Sequence, residues 1–197
     1  KAVCDGVVTP EKQQKYLMTI YQKSNTLAEL INSFYEYSRL EHPAFRIVPE
    51  TGDICEYLRE YVAGKYEELE LAGFQLEVDI PEKPISMQFD QMQLKRVFEN
   101  IITNSLKHNP GGTRVYVSLT QVRDEAVNDT ANNTTGSTSE HAGRGVRILI
   151  GDDGVGIPEQ LRSTVFEPFV VGDESRSTRQ GTGLGLAIAR KIVLAHH

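Results

Sequence analysis

At 197 residues, with 39% hydrophobic and 24% charged side chains, the chain can bury a core and holds one large domain or a domain with an appendage. A formal net charge of −6 excludes a general nucleic-acid binder, which needs a basic face. No apolar run reaches the roughly 18 residues of a membrane-spanning helix, and Cys4 and Cys55 have neither disulfide-framework nor metal-ligand spacing, so a reducing cytoplasm is expected.

The chain begins at Lys1 and ends at His197 inside a helical pattern, which reads as a piece of something longer. Cys4-Asp5-Gly6 suits a turn ahead of the first helix. Thr9-Pro10-Glu11 is a helix start, with Thr9 at the N-cap and Pro10 at the first helical position. Leu17, Ile20, Leu27, Ile31 and Phe34 then fall on one stripe, and Pro43 stops the pattern. A helix of about 30 residues is ~45 Å long, more than a small domain covers, so it is expected to bundle with another chain or to form a stalk.

Phe45–Val48 is compatible with a short strand. Asp53-Ile54-Cys55-Glu56 is a capping box opening a helix that Gly73 stops. Phe74–Ile80 alternates apolar and polar residues as a half-buried strand does, and Ile85–Phe89 is a second strand. Asp90 caps the next helix, Gln91–Lys107, with Gln93 at the capping-box position. That helix is apolar on one face yet carries Asn100 and Asn104 one turn apart, followed by Lys107 and His108. Asn is a poor helix-interior residue. The two amides suit oxygen ligands of a hard cation, with Lys107 placed to meet phosphate; equally, they suit amides that cap a neighbouring loop or face water.

Asn109-Pro110-Gly111-Gly112 is a turn, and Thr113–Thr120 and Val146–Ile150 read as strands. Asp124–Gly145 between them is Asn/Thr/Ser/Gly-rich, the composition of a disordered hairpin loop. Its three sequons at Asn128, Asn132 and Asn133 match by chance, and His141 there is a solvated residue. The last strand delivers Asp152, followed by Gly154 and Gly156, and Pro158 starts a short helix ending near Phe166. A carboxylate there can accept from the amino group of a base, bind a metal, or cap that helix.

Gly181-Thr182-Gly183-Leu184-Gly185 opens an apolar helix. Glycines at a helix start let backbone N–H groups approach an anion, so a phosphate cradle is expected, with a mobile flap over Val170–Gln180. No Gly-Lys-Ser/Thr follows, which excludes a Walker loop. Leu186 stands where the dinucleotide fingerprint needs glycine, and no strand precedes the cluster. What carries weight is the order: Asn-x-x-x-Asn helix, strand, Asp-x-Gly-x-Gly, Phe-x-Pro-Phe, Gly-x-Gly-x-Gly.

In Arg96–Pro110, Gly151–Pro158, Val165–Phe169 and Gly181–Val193 the chain resembles the ATP-binding domain of sensor histidine kinases, within the superfamily shared with gyrase, heat-shock chaperone and mismatch-repair ATPases. The resemblance implies an α/β fold: a two-layer α/β sandwich, a mixed sheet with helices on one face, preceded by a long helix of a dimeric helical bundle. It implies a division into 1–42, part of the dimerisation and phosphotransfer hairpin, and 43–197, the ATP-binding domain without its C-terminal strands.

By position, it makes Asn104 the main Mg²⁺ ligand with Asn100 beside it, and puts Lys107 near the phosphates and His108 against the nucleotide. Asp152 would accept the adenine amino group, Gly154 and Gly156 would leave room for the nucleotide, and Gly181, Thr182, Gly183, Leu184 and Gly185 would bind the phosphates. Phe166 and Phe169 would anchor the lid, and Arg176 or Arg179 would reach the γ-phosphate.

The implied activity is transfer of the ATP γ-phosphoryl group to a histidine and on to a response-regulator aspartate. No histidine here fits the acceptor position: His42 ends the first helix, His108 belongs to the Asn helix, and His196 and His197 close the chain. The acceptor is therefore expected upstream of Lys1. The implied partners are a second copy through the hairpin helices and a receiver domain, in the cytoplasmic portion of a membrane-anchored sensor. Competing readings are a degenerate nucleotide-binding interaction module and a chaperone- or gyrase-type ATPase. Asn100 standing where such ATPases carry a catalytic Glu counts against the last.

Overall fold

A computed structural model describes residues 9–123, 144–172 and 181–196. Arg176 and Arg179, the three sequons, His141 and most of the expected flap lie outside the described residues. The chain divides into two compact units, one made of Lys1–Arg46 with Pro158–Leu194, the other of Ile47–Ile157 with Ala195–His197.

The first unit is dominated by α1, Pro10–Glu41. Pro10 takes the first helical position as expected, but the Thr9 side chain makes no capping bond. The helix stops one residue short of His42-Pro43, because a residue before proline is pushed out of the helical region. Its predicted stripe is left in the open: Leu17, Ile20, Leu27, Ile31 and Phe34 are all more than half exposed. Among the described residues no helix is long and apolar enough to cross a membrane.

The second unit begins with β1 (Glu50–Asp53), which pairs antiparallel with β3 (Ser86–Phe89). The strand expected at Phe45–Val48 is not formed. The Val48 N–H is taken by the Asp90 carboxylate at 2.9 Å instead of a ladder partner, and regular pairing starts only at Glu50. Between these strands runs α2 (Ile54–Leu71), capped by Asp53 through a 3.0 Å bond from the Cys55 N–H. The capping box is half made, since Glu56 pairs with Arg59 instead of reaching back. At the other end Gly73, at φ +79°, sends its N–H to Glu70 O while the Phe74 N–H reaches Leu69 O, the paired bonds of a Schellman stop.

β2 (Gln75–Asp79), β4 (Arg114–Arg123) and β5 (Arg144–Asp152) form a three-stranded mixed sheet in the order β2-β4-β5. β2 is parallel to β4, and β4 is antiparallel to β5. Val115, Val117 and Leu119 of β4 are buried while the alternate residues Tyr116, Ser118 and Thr120 are exposed or half-buried, so one face of the sheet carries the core. α2 and α3 (Gln91–His108) pack on this sheet, giving the α/β layering expected. Ile54, Leu58, Phe98 and Ile102 are almost completely buried between those elements, and Tyr57 and Tyr61 pack their rings on Phe89 and Phe98.

In the first unit, α4 is a single turn, Glu159–Arg162, shorter than the expected run to Phe166. α5 (Gly185–Ala195) follows the second glycine cluster, with Ala187, Ile188 and Ile192 buried.

Candidate functional site

Helix α3 positions one side of the site. Asp90 sets its start: Oδ1 accepts from Gln93 N–H at 3.0 Å, Oδ2 accepts from Val48 N–H, and the Asp90 N–H donates to His196 Nε2 at 3.1 Å. From that fixed start, Asn100 and Asn104 stand one turn apart and are half-buried. Their side-chain amides make no hydrogen bond among the described residues. Lys107 and His108 follow in the last turn and are exposed. Among the described residues no bond from these amides caps a neighbouring loop.

The end of β5 supplies Asp152, half-buried and doubly held. Ser105 Oγ, on α3, donates to Asp152 Oδ2 at 2.5 Å, and the Gly154 N–H donates to Oδ1 at 3.1 Å. Asp152 therefore does not cap α4, which starts at Glu159 with Pro158 before it. The next two residues are tied down as well. Asp153 exchanges bonds with Arg114, its carboxylate accepting the Arg114 N–H at 2.7 Å and its own N–H reaching Arg114 O. Val155 N–H donates to Asn109 Oδ1 at 2.9 Å, while Asn109 Nδ2 donates to Ser105 O at 3.1 Å. Two functional neighbours were thus missed in the sequence, Ser105 and Asn109. Their i, i+4 spacing at the end of a helix was visible, but the bonds they make cross to residues more than forty positions away.

The two glycines of this turn differ. Gly156 sits at φ +72° with open space around its Cα, so its need is conformational. Gly154 has ordinary backbone angles, but a Cβ there would fall inside the Asn109 side-chain amide.

The second glycine cluster lies in the first unit. Gly181 and Gly183 adopt φ of +107° and +67°. Gly183 O accepts the N–H of Phe169 at 2.9 Å, and a Cβ at Gly183 would come within 2.8 Å of the Phe169 backbone. Phe169 itself is held at φ +64°. Phe169 is thereby tied to the glycine cluster through its backbone, and the rings of Phe166 and Phe169 are about half exposed. Thr182 Oγ1 accepts the Leu184 N–H at 3.2 Å, and Leu184 is fully buried. Gly185 begins α5.

Among the described residues no group of three His, Cys, Asp or Glu side chains is arranged to hold a metal. A cation here would have to take amide oxygens together with oxygens from a ligand. Mg²⁺ tolerates such a set, because it keeps waters and takes substrate phosphates instead of demanding an all-protein cage. The fit is to the amides of Asn100 and Asn104, which have no partner among the described residues.

Residues 89–197 match the family model of the histidine kinase-, DNA gyrase B-, and HSP90-like ATPases. The chain belongs to this ATPase family. Sensor protein GtcS of Aneurinibacillus migulanus is 32% identical over 187 residues, covering 94% of this chain and 45% of that protein. The histidine kinase AdeS of Acinetobacter baumannii has a similar fold, with a TM-score of 0.62 at 22% identity over 98% of this chain and 79% of that one. Full-length ShkA, crystallised in complex with AMPPNP, superposes with a TM-score of 0.65 at 22% identity, covering 95% of this chain and 35% of that one. The chain spans about half the length of the curated relatives it matches. Within this ATPase family domain, α3, the β5 end and the second glycine cluster all fall inside the matched residues.

Proposed function

We infer that the chain is the ATP- and Mg²⁺-binding region of a sensor histidine kinase. The observation that carries this is the pair of half-buried amides at Asn100 and Asn104, without a hydrogen-bond partner among the described residues, on the helix whose Ser105 holds Asp152. In this reading Asp152 accepts the adenine amino group. Guanine presents a carbonyl at that place and is disfavoured, oxygen facing oxygen.

Asn104 and Asn100 hold Mg²⁺, and bound Mg²⁺ would neutralise charge on the phosphates. Lys107 meets phosphate as a point charge, and His108 lies against the nucleotide. Gly181, Thr182, Gly183, Leu184 and Gly185 line the phosphates, the three glycines letting backbone approach them while the Leu184 N–H stays with Thr182 Oγ1, and Phe166 and Phe169 anchor the lid. Arg176 or Arg179 is assigned to the γ-phosphate from position in the sequence alone.

The whole protein would transfer the γ-phosphoryl group to a histidine outside these 197 residues, and then to a response-regulator aspartate. The exposed apolar stripe of α1 supports a homodimer through hairpin helices, with a domain boundary between residues 42 and 43. The relatives named as sensor proteins support a place in two-component signalling; a position in the cytoplasmic part of a membrane-anchored receptor is proposed from the sequence resemblance alone.

Calorimetric titration of ATP with and without Mg²⁺ tests the site. Asp152→Ala is expected to abolish measurable binding, and Asn104→Ala to remove the gain due to Mg²⁺ while leaving metal-free binding in place. Wild-type affinity in Asp152→Ala would overturn the adenine assignment.

A further inference from the structure

The turn that follows β5 is held from one helix end by a bracket of two side chains. Ser105 and Asn109 stand at i and i+4 on the last turn of α3 and its C-cap, where Asn109 has extended angles of φ −117° and ψ 151°. Ser105 is buried, with 3% of its surface exposed. Its hydroxyl donates to Asp152 Oδ2, and its carbonyl accepts from Asn109 Nδ2. Asn109 completes the bracket by accepting the Val155 N–H. The two ends of the Asp152–Val155 turn are therefore fixed to a single helix turn, and Gly154 in its middle has no Cβ where the Asn109 amide lies.

We propose that Ser105 and Asn109 are positioning residues that set which purine the site accepts. The inference rests on the assignment of Asp152 to the adenine amino group. A carboxylate that already accepts one protein donor on each oxygen is held in one rotamer, and it keeps the character of an acceptor. Its remaining lone pairs then point in fixed directions, and only a base presenting a donor there is matched. A carboxylate free to swing can turn aside or recruit a bridging water, and discrimination between amino and carbonyl groups weakens. The same bracket explains Gly154 without a ligand: it makes room for Asn109, which makes it a structural glycine of the apo protein.

The test is titration of ATP and GTP on the intact chain, on Asn109→Ala, on Gly154→Ala, on the double variant and on Asp152→Ala. Asn109→Ala is expected to weaken ATP about tenfold, the scale of a lost hydrogen bond to an ordered polar site, and to narrow the ATP-over-GTP ratio. Gly154→Ala should lose at least as much, because its methyl group expels the Asn109 amide. The double variant should bind like Asn109→Ala alone, the non-additivity of two changes acting on one contact.

Losses that add in the double variant would mean Gly154 serves the ligand directly, and would overturn the bracket. A wild-type ATP-over-GTP ratio in Asn109→Ala would overturn it also. Should Asn109→Ala fail to fold, Asn109→Asp keeps the acceptor for Val155 and loses the donor to Ser105. An unchanged ratio there is equally fatal. Wild-type binding by Asp152→Ala would instead remove the adenine assignment. The bracket itself would still be read from Val155 amide exchange in the absence of nucleotide, which should accelerate in Asn109→Ala.

Discussion

Asp90 gives the strongest single-residue prediction for stability. Asp90 is 8% exposed, and its carboxylate accepts two backbone N–H groups, Gln93 at the start of α3 and Val48 at 2.9 Å. Replacing it by Ala removes an N-cap, which costs about 1 kcal/mol. It also leaves the Val48 N–H without its acceptor, at about 1–3 kcal/mol for a part-buried donor. The sum is about 2–4 kcal/mol. Asp90→Asn keeps one carbonyl oxygen and should lose roughly half of that, because the amide satisfies only one of the two donors. Equilibrium urea unfolding followed by circular dichroism measures both. A loss below about 1 kcal/mol in Asp90→Ala, with an unchanged slope, would refute the reasoning that this carboxylate anchors the helix. Because Asn100 and Asn104 stand three and four turns along from that cap, Asp90→Ala should also weaken Mg²⁺-dependent ATP binding.

Two further outcomes follow from local geometry. Gly183→Ala places a methyl group against the Phe169 backbone in a left-handed conformation that alone costs about 1–2 kcal/mol; the Phe169 amide, bonded to Gly183 O, should exchange faster with solvent, and unchanged exchange would contradict the pinning. Tyr57 donates to Gln91 O, and burial, with the Glu99 and Asp90 charges adding to it, pushes its phenol up to about 12 from 10.0. The fold thus keeps a proton that the unfolded chain gives up. Stability from this residue is full below pH 10 and is lost as pH rises toward 12. Alkaline unfolding of Tyr57→Phe should show a shallower decline over that window, and an identical profile would refute the assignment.

Much of the fold was legible because its signals are local. Apolar spacing located α1, α2 and α3 to within a residue or two, and Asp53, Asp90 and Gly73 marked their ends through backbone bonds made by neighbours in sequence. Phe45–Val48 misled because four apolar-rich residues fit a strand while the partner of Val48 is a side chain forty-two positions away. The Asn, Asp and Gly positions of the candidate site were visible in the sequence, but two of those readings gained content only from structure. Gly154 was read as room for a ligand, and its nearest neighbour is Asn109; Asn109 was read as part of a turn, and it holds the backbone of another one. Contacts of that kind have no periodicity to betray them.

The parallel pairing of β2 with β4 carries a consequence for how damage spreads. A parallel neighbour is reached only by a crossover, and here the crossover contains β3 and the whole of α3. Pairing β2 with β4 closes a loop that contains the segment bearing Asn100 and Asn104, a non-local contact of the kind that slows folding. Substitutions that loosen α3 should therefore lower the yield of folded protein in cells along with ligand affinity. Variants of this helix selected for weaker nucleotide binding would tend to appear first as low-abundance alleles.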